Sequence, residues 1–172
     1  MAKKQKLPYG SWPSPVSVDD MTQHSVGLGE IQVFNGLVYW IEMRPEEKGR
    51  YVIVEFNGKT YRDINPPTYN ARTRVHEYGG GSYLVCAAGI YFVNFVDQQI
   101  YHVKDDRITQ LTETSESRYA DLILDEVNKQ LIAVCETHEP GKEAKNSLVT
   151  VDLDSGRYSH LWMAQIFIPI HD

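Results

Sequence analysis

Three observations predict an all-β chain organised as an incomplete β-propeller of about three four-stranded antiparallel blades. Short runs of β-branched and aromatic residues recur along the sequence, each bounded by turn residues. No segment keeps a helical period over three turns. Three hairpin-like runs, YVIVEFNGKTY, QIYHVKDDRIT and SLVTVDLDSGRY, begin at positions 51, 99 and 147, 48 residues apart each time. Four antiparallel strands every roughly 40–50 residues is the period of a propeller blade. A β-sandwich with strands of similar length is the competing architecture, and the regular spacing favours blades over it.

The elements follow in order. Residues 1–28 form an extended lead, because Pro8, Pro13 and Pro15 hold the residues before them out of the helical region. A short helix over 18–24 is the one helical expectation, led by Ser17 and two acids. Strands are expected at 31–33, 37–43, 51–56, 83–86, 90–96, 100–103, 122–124, 131–135 and 148–153. Asn35-Gly36 and Asn57-Gly58 offer the paired positive-φ residues of a type I′ turn. Residues 104–107 and 125–129 read as slightly longer polar hairpin loops. The blades then span about 29–66, 75–112 and 119–161, within a partial propeller over 29–161. An open set of three leaves apolar surface meant for a neighbour, so the chain reads as part of something larger.

Composition excludes several classes. Hydrophobic residues make up 42% and charged residues 23% of the 172 residues, which suits a globular domain with a sizeable core. A net charge of −6 argues against nucleic acid as a partner, since phosphate contacts need clustered Lys and Arg. The basic run at Lys3, Lys4 and Lys6 reads as a solvated tail. No stretch reaches the roughly 18 apolar residues that span a bilayer, and no apolar segment follows the first lysines, so neither a membrane nor a signal peptide is expected. The expected location is cytoplasmic. Cys86 and Cys135 lie in apolar runs without metal spacing and read as buried free thiols.

The most informative stretch is RVHEYGGG at 74–81. Three successive glycines after a charged, aromatic cluster mark a place where backbone must approach something closely. With it come YGSWPSP at 9–15, VYWIEMRPEEKGR at 38–50, NFVDQQIY at 94–101 and RYAD at 118–121. In that order these resemble the N-terminal β-propeller of the prolyl oligopeptidase family of serine peptidases, in its acylaminoacyl-peptidase or dipeptidyl-peptidase-like branch. The resemblance runs to about residue 156. It implies a whole protein that hydrolyses short peptides or acyl-peptides. The propeller then gates access by size to a Ser-His-Asp site on an α/β-hydrolase domain that lies beyond these residues. The implied partners are peptide substrate, that hydrolase domain, the remaining blades and, alternatively, further copies of the chain. A stand-alone, self-associating binding or scaffold module is the rival reading.

Where the family continues with Gly-x-Asp-Phe-Tyr-Ser-x-Pro-Arg, this chain reads HLWMAQIFIPIHD. Read two nucleotides out of frame, Trp162-Met163-Ala164 must encode Asp-Gly, and the following codons permit Ser-Asp-Phe-Tyr-Ser-Asn-Pro-Arg. A frameshifted tail over 162–172 is therefore expected, with a divergent natural strand as the alternative.

Catalytic chemistry is absent from the sequence pattern. There is no Gly-x-Ser-x-Gly; Gly10-Ser11-Trp12 lacks the second glycine and meets Pro13 where a helix should start. The 172 residues alone are expected to be inactive, with no cofactor and no metal. The six histidines are scattered, and the densest ligand-type cluster, Glu136-Thr137-His138-Glu139, lies at the end of a strand before the Pro140-Gly141-Lys142 loop and reads as a solvated inter-strand loop rather than a metal site. Gly79-Gly80-Gly81 lacks the lysine and the helix of a phosphate loop. What remains are charges at the start of successive blades. Arg72, Arg74, His76 and Glu77 precede the second blade, and Arg118 and Asp121 the third. They could line the substrate channel or the domain interface, anchoring a peptide terminus by charge-assisted bonds. Ties between neighbouring blades are the simpler role. Tyr78 and Tyr119 are expected in inter-blade packing, and Trp12 and Trp40 in the core or a domain interface.

Overall fold

A computed structural model describes residues 6–11, 16–17 and 25–163. The expected helix over 18–24, Trp12 and most of the atypical tail lie outside these residues. Twelve strands form three four-stranded antiparallel sheets, each in sequence order across the sheet. The first sheet holds β1 (Gly27–Phe34), β2 (Leu37–Arg44), β3 (Arg50–Phe56) and β4 (Tyr61–Asp63). The second holds β5 (Tyr83–Cys86), β6 (Gly89–Val93), β7 (Ile100–Lys104) and β8 (Arg107–Gln110). The third holds β9 (Ser117–Asp125), β10 (Gln130–Thr137), β11 (Lys145–Asp152) and β12 (Tyr158–Met163). Between the described strands only two 3-10 turns occur, Pro45–Glu47 and Val75–Glu77. These are the blades of an open propeller. The first strand of each blade touches the first strand of the next, β1 on β5 and β5 on β9.

Alternation explains why the sheets stack. In β10, Leu131, Ala133 and Cys135 point one way and are fully buried, while Ile132 and Val134 point the other way. The first set joins Val149, Val151 and Leu122 against Tyr91, Val93 and Ile100 of the second blade. A separate cluster joins Tyr39, Ile41 and Ile53 of the first blade to Tyr83, Phe92 and Tyr101 of the second. There is thus one apolar core per seam. The far side of the third blade carries exposed Ile123, Leu148 and Trp162, in register with Val134 and Ile132.

Turn chemistry departs from expectation twice. Asn35 and Gly36 both have positive φ (49° and 77°) and close a two-residue hairpin, as a type I′ turn requires. Asn57-Gly58 does not: Phe56 pairs with Tyr61, giving a four-residue loop in which only Gly58 has positive φ. The Asn57 side chain makes the turn itself, its Oδ1 accepting the Lys59 and Thr60 N–H groups at 3.0 and 2.9 Å. Conversely, 104–107 is tighter than a longer loop, because Lys104 pairs with Arg107 and both Asp105 and Asp106 take positive φ.

The atypical tail begins in register. Strand β12 runs on through Met163, with Trp162 opposite Leu148 and Met163 opposite Ser147. Gly156, just before β12, has φ +66° and packs so tightly on the end of the second blade that a Cβ there would collide with Leu111 O.

The side-chain bonds that finish each blade also repeat. The Ile53 N–H donates to buried Asn65 Oδ1 at 2.7 Å, and the Ile100 N–H to Thr112 Oγ1 at 2.9 Å, at the same place in consecutive blades. Each replaces a sheet bond that the departing chain no longer supplies.

Candidate inter-blade functional site

The glycine run lies where the first strands of blades two and three meet. Asp121 sits in a bulge of β9: Ile132 pairs with Ile123 but Val134 with Ala120, leaving two residues opposite Ala133. With φ 53°, Asp121 turns its carboxylate back on the second blade. Its Oδ1 accepts the Gly81 N–H at 2.7 Å, and its own N–H donates to Gly81 O at 2.8 Å. A Cβ at Gly80 or Gly81 would lie 3.0 or 2.9 Å from the Asp121 carboxylate. The close approach expected of the glycines is therefore to a neighbouring blade.

Glu30 repeats the device on the other side. It too has positive φ (50°) and occupies a β1 bulge, between the Gly29–Ile41 and Gln32–Tyr39 pairs. Its carboxylate accepts the Ser82 N–H at 2.7 Å, and Gln32 clasps β5 through Tyr83 O and the Val85 N–H. Two acidic side chains from flanking blades thus converge on Gly81 and Ser82. Although Glu30 is an exposed residue, its part-buried carboxyl is pushed upward, first by desolvation and further by the Asp121 charge, against the Ser82 hydrogen bonds.

Around them the predicted charges fall into two groups. Arg118, part-buried, donates to Arg74 O at 3.1 Å and pairs with the Glu77 carboxylate, which it holds below the usual range. The His76 N–H donates to Glu136, whose other oxygen faces His138 Nε2 and lies 3.8 Å from Arg118. His76 Nε2 also meets Asn146 Oδ1 at 2.7 Å. Thr73 is buried beside them, donating its hydroxyl to Tyr119 O at 2.6 Å and accepting the Val75 N–H. His76, Glu77, Arg118 and Asp121 are all engaged across the seam. Arg72 and Arg74 are not ion-paired among the described residues; both lie over the Phe95 ring, at 5.1 and 5.3 Å.

Three expectations do not hold in full. Glu136 does lie at the end of a strand, β10, but it is not solvated: it is only 3% exposed and serves as an anchor of the seam. Tyr78 is 96% exposed and packs in no seam, whereas Tyr119 is fully buried, its hydroxyl pushed up to about 12 by burial. Cys135 is buried but Cys86 is only half-buried; both are free. Trp40 packs edge-on against Phe56 and Tyr61 within the first blade. Among the described residues no group of three or more His, Cys, Asp or Glu side chains could hold a metal ion.

Between blades two and three a cleft of about 590 Å³ opens beside this network, lined by Arg74, Arg118, His138, Gln98 and Ser115 among others. Buried Gln98, unremarked in the sequence, accepts the Arg74 N–H at 2.7 Å and donates to Phe95 O at 2.9 Å. Asp97 is held by the Tyr101 hydroxyl at 2.6 Å and by the Gln99 N–H at 3.1 Å.

The fold has solved counterparts. A puromycin-hydrolyzing peptidase of Mycobacterium tuberculosis is 33% identical over 95% of this chain, with a TM-score of 0.80. This is a propeller part of the prolyl oligopeptidase family. Two structures of puromycin hydrolase, one an S511A mutant complexed with PGG, align at TM-scores of 0.76 and 0.77 with 23% identity, over 93% and 91% of the chain. At that identity they support the fold alone. The chain spans 27–28% of the length of these relatives. No family model and no curated protein matches it. Among the described residues no helix is long and apolar enough to cross a membrane.

Proposed function

We propose that the chain forms part of the propeller that limits substrate access in a serine peptidase of this family. The whole protein would hydrolyse short peptides or acyl-peptides, with puromycin, an aminoacyl nucleoside, as a natural first probe. The observation that carries this reading is the 33% identity to a puromycin-hydrolyzing peptidase over 95% of the chain. The three blades supply a wall and no nucleophile, so the 172 residues by themselves are inactive. Arg72, Arg74, His76, Glu77, Arg118 and Asp121 belong to the seam that faces the passage, four of them holding it shut and two left over for contact.

The test is an incubation of the 172-residue chain with puromycin, with aminoacyl and acyl-peptide arylamides, and with a fluorophosphonate that labels activated serines. No turnover and no labelling are expected; either one would overturn the inactive-wall reading. In the whole protein, hydrolysis should fall as peptide length grows, and equal rates for short and long peptides would remove the gate.

One observation favours a second reading. The exposed row of Ile123, Leu148 and Trp162 on the far side of the third blade is an apolar sheet face. A self-associating module would bury it, giving a concentration-dependent oligomer by analytical ultracentrifugation.

A further inference from the structure

Four arginines near the seams are matched by carboxylates: Arg44 by Asp63, Arg50 by Glu47, Arg62 by Glu55 and Arg118 by Glu77. Arg74 stands apart. Its backbone is fixed on both sides, the N–H donating to Gln98 and the carbonyl accepting from Arg118. Its guanidinium rests 5.3 Å over Phe95, yet its Nε is buried and has no hydrogen-bond partner. A buried, unmatched N–H of a cation is costly unless something accepts from it.

The carboxylates nearby are already occupied. Asp97 accepts from Tyr101 and Gln99, Glu139 from Lys142 and Lys145, and Glu136 from His76. Of the carboxylates that line the cleft, only that of Glu116, exposed on the rim, has no partner among the described residues, and it makes no ion pair with Arg74. The cleft therefore presents a planar donor on an aromatic platform, and no acceptor among the described residues bonds its Nε.

We propose that Arg74 is the anchor of a carboxylate-binding subsite in the cleft between blades two and three. This rests on the substrate-passage reading for its biological ligand, a peptide carrying a free carboxylate, but not for the binding itself. A peptide C-terminus and an acidic side chain are the two sources of such a carboxylate, and both present the same two oxygens to the guanidinium.

The experiment uses the 172-residue chain and follows arginine Nε–H resonances by NMR during titration with triglycine, triglycine amide and N-acetyl-glutamate amide. Triglycine is expected to move the Arg74 signal. The amide, and the Arg74→Gln variant, should each bind roughly tenfold or more weakly, the loss expected for a charge-assisted pair. Arg74→Lys, which keeps the charge and removes the fork, should fall between, and guards against a glutamine variant that misfolds. Glu116→Gln should tighten binding. Equal shifts with acid and amide, or unchanged binding by both Arg74 variants, would overturn the proposal. Binding of N-acetyl-glutamate amide as well as triglycine supports a site for any carboxylate; binding of triglycine alone supports one for the C-terminus. A whole protein that cleaves peptides with no dependence on Arg74 removes the subsite and leaves the peptidase reading. Binding at Arg74 in a protein that cleaves no peptide does the reverse.

Discussion

The two seams of the molecule are closed by the same device to different ends. Between blades one and two, Glu30 turns out of a bulge to take the Ser82 N–H, and the surroundings are apolar: Tyr39, Ile41, Phe92 and Tyr101. Between blades two and three, Asp121 turns out of the matching bulge to take the Gly81 N–H. There the surroundings are ionic, with Arg118, Glu77, Glu136 and two histidines, and a cleft stays open at the mouth. The first seam also has an inter-blade ion pair, Arg62–Asp106, and a cleft of about 500 Å³, but among the described residues only the second buries a carboxylate, Glu136. Charged groups kept part-buried at the second are a cost in stability that ligand contact would explain.

The largest effects should come from the two cores. Ile53→Ala in the first seam and Leu131→Ala in the second each remove a fully buried side chain, and each should cost about 2–5 kcal/mol in urea unfolding. If the blades form one cooperative unit, both variants shift a single transition; separate transitions would show that the seams hold independently. Next is Gly156→Ala, which combines a positive φ with a Cβ driven onto Leu111 O. It should cost at least about 2 kcal/mol and loosen only the second seam.

A smaller effect separates the seams by pH. The Glu30 carboxyl is raised, so it holds its proton more tightly folded than unfolded. Its stabilising share is complete below the ordinary value near 4.5 and is lost as pH rises through the folded value. The Glu77 carboxyl is lowered by Arg118, so its share is present above 4.5 and is lost as pH falls. Unfolding midpoints measured across the acid range should therefore show the advantage of wild type over Glu30→Gln shrinking with rising pH, and that over Glu77→Gln growing. Parallel trends for the two variants would erase the distinction. The smallest effect is that of Tyr78→Ser, an exposed side chain beside the glycines, which should stay within about 0.5 kcal/mol.

Much of this architecture is legible in the sequence, because period-2 alternation and turn residues are local signals. The runs at 51, 99 and 147 place β3, β7 and β11, and the glycine run announces a close approach. What is not legible is non-local. Nothing in the sequence says that Asp121 is what meets Gly81, or that Glu30 does the same work for Ser82, since both depend on a bulge that shifts register by one residue. Glu136 reads as loop because an acid beside His138 and Pro140 suggests solvent. Only its place opposite Arg118 across β9 and β10, with the His76 N–H above it, makes it a buried anchor. Asn57 shows the limit of turn motifs: its side chain accepts two backbone N–H groups, and that alternative displaces the type I′ geometry its neighbour glycine suggests.

The central claim is that carboxylates from blades one and three fasten the second blade through single backbone amides. Hydrogen exchange at the Gly81, Ser82 and His76 amides tests it most directly, because their acceptors are the side chains of Asp121, Glu30 and Glu136. The account predicts that all three exchange as slowly as the strand amides of the cores, and that Asp121→Ala, Glu30→Ala and Glu136→Ala each release the matching amide first. Exchange of these amides at unprotected rates in the wild-type chain would contradict it.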